Sequence, residues 1–116
     1  MAYDIFLADR IRAALKGKRV SFEEKKMMGG LCFMVNDKMC VGIIKNDLMA
    51  RIDPEIYEQQ LHKKGCKIMD FTGRPMKGYV LVEPIGVDTE NEFNHWIKLC
   101  LDFNPKAKSS KKRNTD

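Results

Sequence analysis

The stretch GGLCFMVNDKMCVGIIKNDLMARIDP sets two Asn-Asp pairs, Asn36-Asp37 and Asn46-Asp47, between three apolar runs. Asn and Asp tolerate left-handed backbone better than most residues, so such a pair between apolar segments suits a tight hairpin turn. The pattern predicts a three-stranded antiparallel meander over residues 25–35, 38–45 and 48–52. Gly29-Gly30 interrupts the first strand, which predicts a bend or bulge there. It is not a phosphate-binding motif, because a third glycine and a following helix are missing.

The flanking segments supply helices and two more strands. Residues 2–16 carry Tyr3, Leu7, Ile11 and Ala14 or Leu15 at helical spacing. Asp4 lies in the first turn, Arg12 and Lys16 near the end, and Gly17 is a natural stop. Ile5 and Phe6 widen the apolar stripe, so this helix is expected to touch more than one surface. A second helix is expected from Asp53, an N-cap followed by Pro54 and Glu55, to Gly65, with Tyr57 and Leu61 inward. Residues 66–71 and 76–84 read as strands around the segment MDFTGRPMKGYV. The last helix spans 89–103, opened by a Thr89–Glu92 capping box. Its apolar stripe is Phe93, Trp96, Ile97, Cys100 and Leu101. His95 falls off that stripe and is expected to be exposed. The order is α-β-β-β-α-β-β-α, which predicts the α+β class: two layers, with helices on one face of an antiparallel sheet.

The meander also predicts which side chains share a face. Two-residue turns would place Leu31, Phe33, Val35, Ile44 and Met49 on one side, mixed with Lys38 and Arg51. Cys32, Met34, Met39, Val41, Ile43, Leu48, Ala50 and Ile52 would face the helices. The first set is too apolar for a solvated face, so it is the candidate dimer face and a homodimer is expected. Cys32 and Cys40 would lie on opposite faces, which argues against a disulfide.

The apolar fraction of 44% over 116 residues predicts one globular domain. No apolar run is long enough to span a bilayer, and the start lacks a signal-peptide pattern. A cytoplasmic protein with reduced thiols is expected. His62 and Cys66 are spaced for one helix face, but a metal needs further ligands that the sequence does not place nearby. No metal or cofactor is expected.

Of the formal charge of +5, residues 106–116 carry +4. The expected division is a domain over 1–104 and a basic, disordered tail over 105–116 bearing Lys106, Lys108, Lys111, Lys112 and Arg113. The tail is either a solubilising end or a weak, sequence-independent contact for nucleic acid.

The segment around Asp70, Thr72, Gly73, Arg74 and Lys77 has two readings. It is a hairpin connection, with Gly73 supplying a positive φ. Alternatively, Arg74 and Lys77 beside loop amides grip a phosphate or carboxylate. Neither histidine is close in sequence, and no nucleophile stands beside a base, so catalysis is not expected.

Five stretches carry a family resemblance: MAYDIFLADRIRAAL, KKMMGGLCFMVNDKMCVGI, LMARIDPEIYEQQL, MDFTGRPMKGYVLVEP and the final helix with Trp96. Together they resemble the N-terminal domain of the TfoX (Sxy) family over residues 1–104. The resemblance implies a two-layer fold like that of secretion chaperones and a non-enzymatic role. It also implies partners in the transcription machinery. Full-length members of this bacterial family regulate natural competence with the cyclic-AMP receptor protein at promoters, and they carry a second, helical C-terminal domain. Here the basic tail stands after the first domain, so the competence role is not expected to carry over unchanged. The resemblance supplies no catalytic residues.

Overall fold

The computed structural model describes residues 4–27, 29–69 and 77–107. In chain order the elements are α1 (Ile5–Gly17), β1 (Glu23–Met27), β2 (Gly30–Val35), β3 (Lys38–Ile44), β4 (Asp47–Arg51), α2 (Tyr57–Gln60), β5 (Cys66–Ile68), β6 (Tyr79–Val82) and α3 (Glu90–Phe103). Short 3-10 turns cover Pro84–Gly86 and Asn104–Lys106. The strands form one antiparallel sheet in the order β1-β2-β3-β4-β6-β5. The class is α+β, as the element pattern predicts.

Two helices begin where their capping residues dictate. Oδ1 of Asp4 accepts from the amides of Phe6 and Leu7, and this opens α1. Thr89 and Glu92 form the expected reciprocal box at the start of α3. From α1, the side chains of Leu7, Ala8, Ile11 and Leu15 are buried; from α3, those of Phe93, Trp96, Ile97 and Cys100. They share one cluster with Leu31, Phe33, Val41, Ile43, Leu48, Ala50, Val80 and Val82 of the sheet. Burying each large apolar side chain contributes about 1.5–3 kcal/mol relative to leaving it in water.

Among the described residues the sheet has six strands, where the sequence pattern suggested five. Gly29 adopts a φ of +73°, and Lys25 pairs with Cys32 while Met27 pairs with Gly30. Gly29 therefore lies in the turn of a hairpin whose second strand begins at Gly30, and the strand expected over 25–35 is two strands. Gly30 is needed for a second reason. A Cβ there would run into the backbone carbonyl of Ile43 on β3.

The β2–β3 turn is as expected. Asn36 and Asp37 both have positive φ, 56° and 63°, and Val35 pairs with Lys38. The next turn uses Lys45-Asn46 instead of Asn46-Asp47, so Ile44 pairs with Asp47 and Gly42 with Met49. A bulge adds a further shift: Phe33 pairs with Val41 but Met34 with Met39, leaving Cys40 as the extra residue. A slip of one residue exchanges the two faces of a strand. Leu31, Phe33 and Val35 therefore lie in the helix-facing core, while Ile44 and Met49 belong to the other face. The candidate dimer face is divided between the two sides of the sheet. Cys32 and Cys40 do lie in separate clusters, and all four cysteines are free thiols.

The helix expected from Asp53 to Gly65 is only Tyr57–Gln60. Asp53 caps a turn instead, its Oδ1 accepting from the amide of Glu55 at 2.9 Å. The two sheet edges differ. Edge strand β1 reads Glu23-Glu24-Lys25-Lys26-Met27. Edge strand β5 is three residues long, with Lys67 held between Asp47 at 3.1 Å and Glu83 at 3.2 Å.

Candidate functional site

The residues singled out in the sequence do not converge. Asp70, Thr72, Gly73 and Arg74 lie outside the described residues, as do Lys108, Lys111, Lys112 and Arg113. Lys77 is exposed beside Gly78, whose φ is +92°. Lys106 sits in the final 3-10 turn, with Nζ 4.0 Å from Asp53. His62 is exposed on the turn after α2, and Cys66 belongs to β5, so the two do not share a helix face. Among the described residues no group of three or more His, Cys, Asp and Glu is placed to hold a metal ion. None of the described helices is long and apolar enough to cross a membrane.

The face of the sheet away from the helices is apolar too. Cys32, Met34, Met49 and Met69 are buried there, with Met39, Ile44, Tyr79 and Leu81 half-buried around them. Gly42 makes room for this packing, since a Cβ would lie 3.1 Å from Cε of Met49 and 2.6 Å from the carbonyl of Leu31. The Arg51 guanidinium lies 5.3 Å over the Tyr79 ring and 6.0 Å from that of Phe103. Two apolar faces were expected from the strand pattern; their membership is what the register changes. A separate exposed apolar pair opens α1: Phe6 is 81% exposed and Ile5 43%.

The described residues also form a cavity of about 260 Å³ lined by Lys63, Lys64, Gly86, Asn91, Glu92, His95 and Trp96. Three segments build it: the turn before β5, the Pro84–Gly86 turn and the first two turns of α3. Asn91 and His95 are four apart, as are Glu92 and Trp96, so each pair stacks along the helix. The opposite wall depends on two glycines. Gly65 has a φ of +78°, and a Cβ on it would lie 2.8 Å from the amide nitrogen of Gly86. A Cβ on Gly86 would collide with the Lys64 carbonyl and a Val82 methyl. The amide of Glu83 donates to the Gly65 carbonyl at 2.8 Å and locks the two segments together.

The electrostatics are uneven. Oε1 of Glu92 accepts from the amide and hydroxyl of Thr89, and Oε2 pairs with Nζ of Lys64 at 3.0 Å. These partners, Lys64 foremost, hold the Glu92 carboxyl below its ordinary pKa. Lys63 makes no ion pair among the described residues. Nε2 of His95 lies 2.9 Å from Oε1 of Gln60, within hydrogen-bond distance. The imidazole stands edge-on to the indole of Trp96, with ring centres 5.2 Å apart. Burial, and then the charge of Lys63, lower the His95 pKa. His95, expected to be exposed, is half-buried. The i, i+4 pairs on α3 were readable in the sequence, but their meeting with Lys63-Lys64 depends on the packing of Gly65 against Gly86.

A family model described as the TfoX N-terminal domain matches residues 15–104. The chain belongs to the TfoX N-terminal domain family. The match runs from the last turn of α1 to Asn104, so it takes in the whole sheet, α3 and the cavity of this TfoX domain. No curated protein and no solved structure matches the chain.

Proposed function

We propose that this TfoX N-terminal domain is a regulatory module that acts by binding proteins and carries out no reaction of its own. The family match across the entire sheet is the observation that carries this reading. The exposed Phe6 and Ile5 at the start of α1 supply a contact surface, because exposed aromatic side chains commonly anchor protein interfaces. The partners of this reading are a second copy of the chain and a component of the transcription machinery. The test measures self-association by sedimentation, and binding to purified RNA polymerase and cyclic-AMP receptor protein. Both are compared between the native chain and Phe6→Asp. The reading expects association that Phe6→Asp weakens while the circular dichroism spectrum stays unchanged. A chain that stays monomeric and binds neither protein overturns it.

The concentration of charge in residues 106–116 favours a second reading, a nucleic-acid accessory role. It expects duplex binding that falls steeply with salt. The binding should vanish when Lys108, Lys111, Lys112 and Arg113 are all changed to Gln.

A further inference from the structure

We infer that the cavity beside the start of α3 is a binding site for a small molecule with one anionic group, a carboxylate or phosphate, on a compact apolar body. Neither the protein-contact reading nor the tail reading is needed for this inference. It rests on how the charges lining the cavity are distributed.

Two lysines and one carboxylate contribute charge to the lining, and the His95 imidazole is held toward its neutral form. Both oxygens of that carboxylate, Glu92, are occupied: one by Thr89, the other by Lys64. A cationic ligand would have to displace Lys64 to reach it. Lys63 has no such partner among the described residues, and its charge disfavours the imidazolium of His95. An anion placed between Lys63 and His95 pairs with the first and offsets the repulsion that Lys63 exerts on the second, while burial, the larger cause of the lowered His95 pKa, remains. The remaining groups around His95 are Gln60 from α2, Lys64 from the following turn, and Asn91 and Glu92 from its own helix. None of these supplies a free negative charge.

The apolar half of the ligand follows from Trp96. Trp96 lines the cavity although the residue is only 2% exposed, so it offers the cavity a small apolar patch and not a free ring face. A compact apolar body covers this patch together with the methylene stems of Lys63 and Lys64 in the lining. The volume, about 260 Å³, lies just under the usual lower bound of about 300 Å³ for ligand pockets. That suits a single-ring compound and is too small for a dinucleotide. The wall is pre-formed, because the Gly65 and Gly86 backbones are packed too closely to admit side chains.

Trp96 is the sole tryptophan of the chain, so its fluorescence reports this cavity directly. The experiment titrates the full chain with benzoate, phenyl phosphate, inorganic phosphate and uncharged benzamide. A saturable fluorescence change with benzoate or phenyl phosphate, and none with benzamide, is the expected result. Whichever of the two anionic probes binds more tightly identifies the carboxylate or the phosphate as the preferred group. Lys63→Ala should weaken binding by roughly tenfold, the scale of one charge-assisted contact. Lys98→Ala, in the third turn of α3, outside the cavity lining and paired with Asp102, should leave it unchanged. The His95 pKa, followed by NMR, should rise when the site is filled. The inference is overturned if no saturable change appears, if benzamide binds equally well, or if Lys63→Ala binds as the native chain does. Equal affinity for inorganic phosphate and phenyl phosphate overturns the apolar half of the ligand.

Discussion

The side-chain amide of Asn36 donates to Oδ1 of Asn104 at 2.8 Å, fastening the tip of the β2–β3 hairpin to the end of α3. Asn104 is 3% exposed and fully engaged. Its own amide donates to the Val35 carbonyl at 3.0 Å, and its backbone carbonyl accepts from Lys38 at 3.0 Å. Asn104→Ala removes two side-chain hydrogen bonds, the one from the Asn36 amide and the one to the Val35 carbonyl. We expect a loss of about 1–3 kcal/mol in urea unfolding, the scale of two hydrogen bonds at about 0.5–1.5 kcal/mol each. A change within experimental error would show that the hairpin holds without this link.

The glycines separate into tight and open positions. Gly86→Ala forces a Cβ into the Lys64 carbonyl and a Val82 methyl. We expect a cost of about 1–3 kcal/mol, as for other overpacked sites. Gly17→Ala is the contrast, because no atom lies within 4 Å of its Cβ position at the end of α1. That change should be neutral or stabilise by up to about 1 kcal/mol. Thermal unfolding of both variants checks the pair, and similar effects at both sites would contradict the packing described for Gly86.

Arg12 joins α1 to the edge of the sheet. Its Nε and Nη2 donate to the two oxygens of Glu24 at 2.6 and 2.8 Å. The hydrogen bonds from Arg12 lower the Glu24 pKa below its ordinary value. Stabilisation from a lowered carboxylate is present above the unfolded pKa and is lost as pH falls through the folded one. The native chain should therefore exceed Glu24→Gln in stability at neutral pH by up to about 1 kcal/mol, a modest figure because the pair is partly solvated. The gap should close on acidification below about pH 4. Urea unfolding across that range tests the sign, and a gap that widens in acid would contradict it.

The thiols should differ in reactivity. Cys32 and Cys40 are buried, with pKa values pushed up by burial to about 11 and about 12. Cys100, also buried, is raised well above its ordinary value by the same cause. Cys66 is only half-buried, although burial pushes it to about 11. Maleimide labelling of the native chain, read by mass spectrometry, should modify Cys66 first. Labelling of the other three should await unfolding, since both access and thiolate fraction limit the reaction.

The elements that the sequence announced are those whose signals are local. The Thr89–Glu92 box marks the start of α3, Asn36-Asp37 forms its predicted turn, and alternating apolar residues show that both faces of the sheet are buried in part. Register was harder to read. Whether a turn uses Lys45-Asn46 or Asn46-Asp47 depends on how Ile44 and Asp47 meet across strands, and the Cys40 bulge has no residue signature of its own. These two offsets are enough to send Leu31 and Met49 to opposite faces. The cavity at His95 was less legible again. Lys63 and His95 are 32 positions apart, and their segments meet through long-range contacts, Gly65 against Gly86, Lys64 with Glu92 and Gln60 with His95, that no local pattern announces.

The two margins of the sheet constrain how this chain can associate. Four consecutive charged residues run along β1, and β5 offers three residues with a lysine gripped by two acids. Such borders resist the addition of another strand. Copies of this chain cannot readily lengthen one another's sheet into a ribbon. An assembly built from them would grow in thickness, by stacking layer upon layer.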